Sequence, residues 1–467
     1  MNDKAPDELY ISFLFPPSNL VSGINVFKRI VEEGKVVDVL QANRDLSDFE
    51  YGEIEEFINN RIFIDIDCDD DGAECIFKFV KRALNSIEKD YKRIYSRSWF
   101  ASNHFLASEY KFKNPDVFWT AEFSDPLIFD LSNNVKNYKK MIVDNPEYID
   151  RINHQIEDFN KKNDTSFDLI ENKSSGFFIC EYLVYLFADR IIFTNENQKE
   201  IMLNQFPVDI ADFVSEKCEV RMHHTLDSRF YHIKESSIDL NDDYINIAYF
   251  GKDYNGQRHF ESLFYSIESL NHKFKDKLRI YMFVDDDRLI DKLISPLDSY
   301  SSFIVEKPMD YFEFLNACLK FDVLIVNDMV TKGAYEKNPY LPSKLSDYLG
   351  SGTDIWALYE KNSCLSKFNL KYMSEITDFD QCGRQLVKIL ADRGYYDDDF
   401  SFDDGYFIKR LTTLNEFYEK EYHRKLALKR KFKNLKRENK KLNKENNDIV
   451  SSNSWKITKP FRKFRNK

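Results

Sequence analysis

The sequence predicts an α/β fold: two Rossmann-like, doubly wound domains facing a cleft, followed by a helical, coiled-coil tail. Three observations predict it. From about residue 8 to 235, short apolar runs alternate with helical runs of roughly 10–15 residues, the pattern of βαβ units and a parallel sheet. After a polar stretch at Asp227–Asp243 the alternation restarts. Past residue 400 it gives way to apolar residues at heptad spacing among Lys and Arg.

In the first domain, residues 1–235, strands are expected at Leu9–Phe15, Val36–Leu40, Arg61–Ile66, Arg93–Ser96, Val117–Ala121, Arg190–Thr194 and Glu219–Met222. Helical runs lie between them, among others Ile24–Glu33, Ala73–Lys89 and Phe178–Ala188. The stretch 131–175 is polar and poor in strand signal, and reads as an insertion over the cleft that would help bind an acceptor. In the second domain, residues 236–400, strands at Ile245–Phe250, Leu278–Val284, Phe303–Val305, Asp322–Val326 and Asp354–Leu358 alternate with helices near 259–271, 310–319 and 376–391. Ligands of such sheets bind outside the carboxyl ends of the strands, so a cleft between the two domains is the expected site.

At 467 residues the chain exceeds one ordinary core, and 43% apolar content suffices for two. Its seven cysteines are scattered and odd in number, with no CxxC pair, which fits a reducing compartment without a disulfide framework. Ile11–Phe15 is too short for a signal h-region, and no stretch reaches the ~18 apolar residues of a membrane span. The expectation is a cytoplasmic protein.

The net charge of −12 hides an asymmetry. Residues 424–467 hold 17 Lys/Arg against three acids, a net +14, so the first 423 carry −26. A basic end on an acidic body suits an anionic membrane surface, which would make the protein peripheral on the inner face of the cell membrane. Leu428, Leu435, Leu442 and Ile449 recur every seven residues, preceded by Phe432, Asn439 and Asn446. Leucine at d with asparagine at a favours a parallel homodimer; a single helix lying on its own body is the alternative. In residues 451–467, Trp455, Phe461 and Phe464 interleave with cations, as at a headgroup interface. Nucleic acid is not the expected partner of so acidic a body.

The segment most telling about function is Asn338-Pro-Tyr-Leu-Pro-Ser-Lys344-Leu-Ser-Asp347-Tyr-Leu-Gly-Ser-Gly352, directly after the strand Asp322–Val326. Pro342 is placed to open a helix at N1 and Gly352 to close it. Lys344 and the helix N–H groups would face a diphosphate, and Asp347 one turn on would accept ribose hydroxyls. The second domain opens with Gly251-Lys252…Gly256-Gln-Arg258, a glycine-bearing loop carrying two cations. Such cations neutralise the charge growing on a departing diphosphate without a metal. Gly23, after the first strand, would let backbone approach the ligand.

Two acidic clusters invite a metal reading, and neither sustains it. Asp67-Cys-Asp69-Asp-Asp71-Gly72 begins like a calcium loop, but its twelfth position is Lys78 rather than glutamate. Asp285-Asp-Asp287 reads as a solvated turn at a strand end. No metal or organic cofactor is expected, and no serine-nucleophile or Walker motif is present.

At these residues the chain resembles the retaining GT-B glycosyltransferases of the broad family-four type. Phe15-Pro-Pro-Ser…Gly23 is similar to the family's first glycine loop. Ser96-Arg-Ser98…Asn103-His104 with Trp119-Thr-Ala-Glu-Phe-Ser-Asp125-Pro126 resembles a subgroup pattern. The Gly251…Arg258 loop resembles the donor-phosphate loop, and Leu341-Pro-Ser-Lys344-Leu…Asp347-Tyr-Leu…Ser351-Gly352 the donor segment. Ser454-Trp455-Lys-Ile-Thr458-Lys-Pro460-Phe-Arg462 is similar to an ending of cell-surface polysaccharide transferases.

The resemblance implies a nucleoside-diphosphate sugar as donor, with Gly23, Lys252, Arg258, Lys344 and Asp347 around it and a glycan or lipid-linked acceptor. Asp125 and His104 would lie near the reacting sugar. The chain departs from the family at two places. Pro339 stands where a glutamate should contact the donor sugar, which leaves Glu336 as the nearby substitute, and Ser124 stands in place of a histidine. Those departures keep two rivals open: a non-catalytic glycosyltransferase-like scaffold, and another sugar-nucleotide enzyme such as an epimerase.

Overall fold

The computed structural model describes residues 6–395 except 45–51, 68–71, 137, 252–257, 271, 286–299 and 332–333, together with Lys431. The chain divides into two compact units, Met1–Asp398 and Asp399–Lys467. The heptads and the basic aromatic tail lie outside the described residues, as does Lys252.

Two parallel sheets form the first unit. The N-terminal lobe holds seven strands in the order β3-β2-β1-β4-β5-β6-β7. They are β1 (Glu8–Ile11), β2 (Val37–Ala42), β3 (Ile58–Ile64), β4 (Arg93–Ser98), β5 (Phe118–Phe123), β6 (Arg190–Phe193) and β7 (Cys218–Val220). The C-terminal lobe holds six in the order β10-β9-β8-β11-β12-β13. These are β8 (Ile245–Phe250), β9 (Leu278–Phe283), β10 (Phe303–Glu306), β11 (Val323–Asn327), β12 (Asp354–Tyr359) and β13 (Tyr372–Glu375). β2, β8 and β11 are buried along their whole length, which explains their near-continuous apolar runs.

Twelve of these strands lie where the sequence places them, and β13 does not. Its Tyr-Met-Ser-Glu is short and polar, and Tyr372 and Ser374 become buried by pairing with β12 and by the helix Phe379–Asp392, where Tyr372 Oη donates to Asp392 Oδ2 at 2.8 Å. The stretch 131–175, poor in strand signal, is built around a helix. It carries the 18-residue helix Pro146–Asn163, with Pro at N1 and the Asn145 side chain accepting from Tyr148 N at 3.1 Å. Tyr148, Ile149, Ile152 and Ile156 bury one face in the N-terminal core, so much of the segment is core scaffold. The donor-segment helix runs Lys344–Ser351, so Pro342 precedes it rather than opening it, while Gly352 closes it at φ 72°.

The lobes share a core. Phe27, on the helix Val21–Glu33, meets Phe230 edge-on at 5.8 Å and Phe312 of the C-terminal lobe at 6.5 Å. Fully burying a ring of that size contributes about 1.5–3 kcal/mol. Cys75 is disulfide-bonded, while Cys180, Cys218, Cys318, Cys364 and Cys382 are free thiols. Scattered spacing therefore did not exclude a disulfide. Among the described residues no helix is long and apolar enough to cross a membrane.

Candidate functional site

Both sheets have their topological switch point beside the first strand, between β1 and β4 in one lobe and between β8 and β11 in the other. The contacts between lobes come from segments that follow strand carboxyl ends. After β6, Asn195 Nδ2 donates to Pro339 O at 2.9 Å, and Asn197 Nδ2 donates to Asn338 O at 2.9 Å. After β5, Asp130 O accepts from Tyr335 Oη at 2.7 Å, and Asn133 Nδ2 donates to Ala334 O at 2.9 Å. The carboxyl ends of the two strand sets therefore face one another.

At the C-terminal switch point, Arg258 Nη1 donates to Asn327 O and Asn327 Nδ2 returns a bond to Arg258 O at 3.0 Å. This reciprocal clasp fixes the arginine at the end of β11. Lys344, first residue of its helix, reaches back toward Gly251: a Cβ on that glycine would lie 3.2 Å from Lys344 Nζ. Gly251 holds φ 153° and its missing Cβ would also meet Tyr249 Oη at 2.8 Å, so a side chain there is excluded twice. Burial pushes the Lys344 ammonium down to about 8, the like charge of Arg258 pushes the same way, and Asp347 and Asp285 oppose it. Among the described residues Lys344 Nζ has no hydrogen-bond or ion-pair partner. Two cations drawn together, with Asp347 and Asp285 opposing only part of the downward push on Lys344, are an arrangement that an anion would suit.

Asp347 lies elsewhere in the network. Its Oδ1 is 2.7 Å from Lys28 Nζ and accepts from Tyr311 Oη at 2.8 Å, while its backbone carbonyl accepts from Tyr231 Oη at 2.5 Å. Lys28 belongs to the N-terminal helix Val21–Glu33 and also donates to Ser346 Oγ at 2.6 Å. Sequence reasoning missed Lys28, although its signal was present. It stands with Ile24, Phe27 and Val31 on the apolar face of that helix, where a lysine needs a buried partner.

Asp125 follows β5 at the cleft. Burial pushes its carboxyl up to about 6, and Arg97, Lys136 and Arg258 partly offset that. The structure thus brings Asp125 of one lobe within electrostatic reach of Arg258 of the other. His104 does not join them. It is buried, with Nδ1 2.8 Å from Ser96 Oγ and its ring against Trp119 and Phe123. Burial, then Arg97, pushes it down to about 3, so it is a neutral core histidine. Gly23 is buried too, and a Cβ there would lie 2.2 Å from Leu14 O, so its bare Cα is needed by the chain's own turn. Glu336 is exposed on its loop.

Several further residues escaped sequence reasoning. Arg29 and Arg97 grip buried Glu122 at 2.8 and 3.1 Å and, against the upward push of burial, hold its carboxyl at about 2. Burial pushes Asp328, at the end of β11, up to about 7; its Oδ2 accepts from Glu360 N at 2.9 Å. Glu360 accepts from Thr331 Oγ1 at 2.7 Å and Asn338 Nδ2 at 3.0 Å, pinning the loop that carries Pro339. Such pairings join residues distant in sequence and leave no local pattern.

Two doubly wound lobes with facing strand ends define the GT-B architecture. The chain is similar in fold to sucrose-phosphate synthase from Thermosynechococcus elongatus, with a TM-score of 0.52 at 12% identity over 91% of this chain and 99% of that one. It is similar to the catalytic domain of starch synthase IV from Arabidopsis thaliana bound to ADP and acarbose, with a TM-score of 0.52 at 10% identity over 90% and 99%. The E. coli trehalose-6-phosphate structure bound with UDP-2-fluoro glucose gives 0.51 at 9% identity over 88% and 95%. At such identities the likeness is one of fold. No protein-family model matches the sequence, nor does any curated protein.

Proposed function

We propose that this protein is a glycosyltransferase, moving a sugar from a nucleoside-diphosphate donor to a glycan or lipid-linked acceptor. The observation that carries this reading is the convergence of Arg258 and the unpartnered Lys344 at the β8–β11 switch point, below Gly251. A diphosphate there relieves the repulsion between the two cations, and it is more strongly held as negative charge grows on it during bond cleavage. Asp125, which follows β5 and feels the charge of Arg258, would stand near the acceptor in that cleft. In a retaining reaction without a metal, the departing diphosphate itself draws the acceptor proton, which these cations suit. Shared packing of the lobes would exclude water and hold the acceptor against the anomeric carbon. The basic tail would keep the enzyme at the inner face of an anionic membrane, in cell-surface polysaccharide assembly.

The deciding experiment is calorimetric titration with a panel of UDP-, GDP-, ADP- and dTDP-sugars, followed by a hydrolysis and transfer assay. Binding that disappears in Arg258→Ala and Lys344→Ala supports the proposal. Absence of binding for every donor ends it. Asp347 is engaged by Lys28 and Tyr311, and Pro339 contributes its carbonyl to the lobe contact, which favours a second reading. That reading is a donor-binding subunit that does not turn over, and it predicts binding without hydrolysis or transfer.

A further inference from the structure

Of the tryptophans described, two are buried and each indole N–H donates to a serine: Trp119 Nε1 to Ser96 Oγ at 2.8 Å, and Trp356 Nε1 to Ser374 Oγ at 3.0 Å. Trp99 is the contrast. Its side chain is 53% exposed, and among the described residues it makes no hydrogen bond and no ring contact. Its place in the fold is specific. Trp99 directly follows β4, at the β1–β4 switch point, where the turn after β1 and the start of the helix Ala101–Lys113 diverge.

Beneath it the crevice is filled. Phe100 packs against Phe13 at 4.7 Å, and Asn103 Oδ1 accepts from Phe13 N at 2.8 Å, so the backbone on either side of the indole is braced. Ser98 O, one residue before Trp99, accepts from Ser124 N at 3.3 Å, so the turns that follow β4 and β5 and carry Trp99 and Asp125 leave the sheet side by side. The turn after β4 thus presents an aromatic face and an indole N–H, both without a partner among the described residues, one strand over from the turn that carries Asp125.

We propose that Trp99 is the stacking platform for a pyranose ring of the acceptor, so that the reacting end of the acceptor is a sugar residue. A pyranose offers a face of C–H groups with slight positive charge, which the negative face of an indole attracts, and hydroxyls at its rim that the indole N–H and Asp125 would meet. A lipid surface fits less well, because the first 423 residues carry a net −26, which opposes approach of this face to anionic headgroups. The inference rests on the glycosyltransferase reading for the word acceptor, but sugar binding at Trp99 is tested without it.

The test is intrinsic fluorescence of the full chain, wild type against Trp99→Phe and Trp99→Ala. The probes are maltotetraose, cellotetraose, chitotetraose and mannotetraose, with anionic phosphatidylglycerol vesicles as a separate arm. The expected result is a saturable change with at least one saccharide in the wild type that both variants lack. Where transfer is measured, Trp99→Ala should raise the acceptor KM about tenfold while donor binding and donor hydrolysis stay unchanged. No response to any saccharide, an equal response in Trp99→Phe, or a response to vesicles alone overturns the proposal. A saccharide response in a protein that binds no nucleotide sugar would overturn the enzyme reading and leave the sugar platform standing.

Discussion

Lys28 of the N-terminal lobe and Asp347 of the C-terminal lobe meet at 2.7 Å, with side chains only 1% and 7% exposed. Burial pushes the Lys28 ammonium down and Asp347 pulls it back up. A pair so enclosed contributes little net stability against an apolar pair of equal size, yet each half is costly without the other. Around it Tyr311, Tyr231 and Ser346 complete the hydrogen bonding, so the donor-segment helix is tied to the opposite lobe.

Replacing one partner should therefore hurt more than replacing both. Lys28→Met leaves a buried carboxylate and is expected to cost about 3–5 kcal/mol. Lys28→Met with Asp347→Leu should recover most of that. Urea unfolding of the four proteins in a double-mutant cycle measures the coupling, and additive losses would show that the pair is not coupled.

The depressed Lys344 ammonium sets a pH dependence. Its value in the folded protein, about 8, lies below the ordinary 10.5. The unfolded chain holds that proton more tightly, so stability of the empty protein should rise with pH between the two values. Diphosphate binding needs the proton and runs the other way, weakening as pH rises past 8. Calorimetry in buffers of different ionisation enthalpy at pH 8 should report proton uptake on binding, and Lys344→Met should abolish it.

Asp125 behaves oppositely. Its value near 6 stands above the ordinary 3.8, so its contribution is present in full below pH 4 and is lost as pH rises through 6. The change is about 3 kcal/mol. Asp125→Asn should flatten that part of the stability profile, and transfer activity that needs the ionised form should rise through pH 6 in the wild type only.

Gly23→Ala probes the first turn. The added methyl would lie 2.2 Å from Leu14 O, a backbone atom that the helix Val21–Glu33 packs against. A loss of more than about 2 kcal/mol is expected on thermal or urea unfolding. A variant of wild-type stability would mean the turn gives way easily.

The fold was largely legible because burying a strand on both faces demands a local apolar run, and βαβ spacing then dictates a parallel sheet. β13 and the helix Pro146–Asn163 were harder. β13 is covered through its neighbour, and the helix has an amphipathic face, Ile149, Ile152 and Ile156, diluted by charged residues. Of the site, Arg258 and Lys344 could be read because each sits in a short strand–loop–helix unit with its own glycine or proline. Lys28 was visible only as an anomaly on an apolar face.

By itself, then, the sequence determined two doubly wound lobes and two cations at the carboxyl ends of the second sheet, since periodicity and turn chemistry act over a few residues. Tertiary structure alone decided which charges pair. Lys28 and Asp347 are 319 positions apart, and no local pattern reports a partner that far away. It also drew His104 into the core, spent Gly23 on the chain's own turn, and left Trp99 outside, because burial belongs to the assembled lobes and not to any segment.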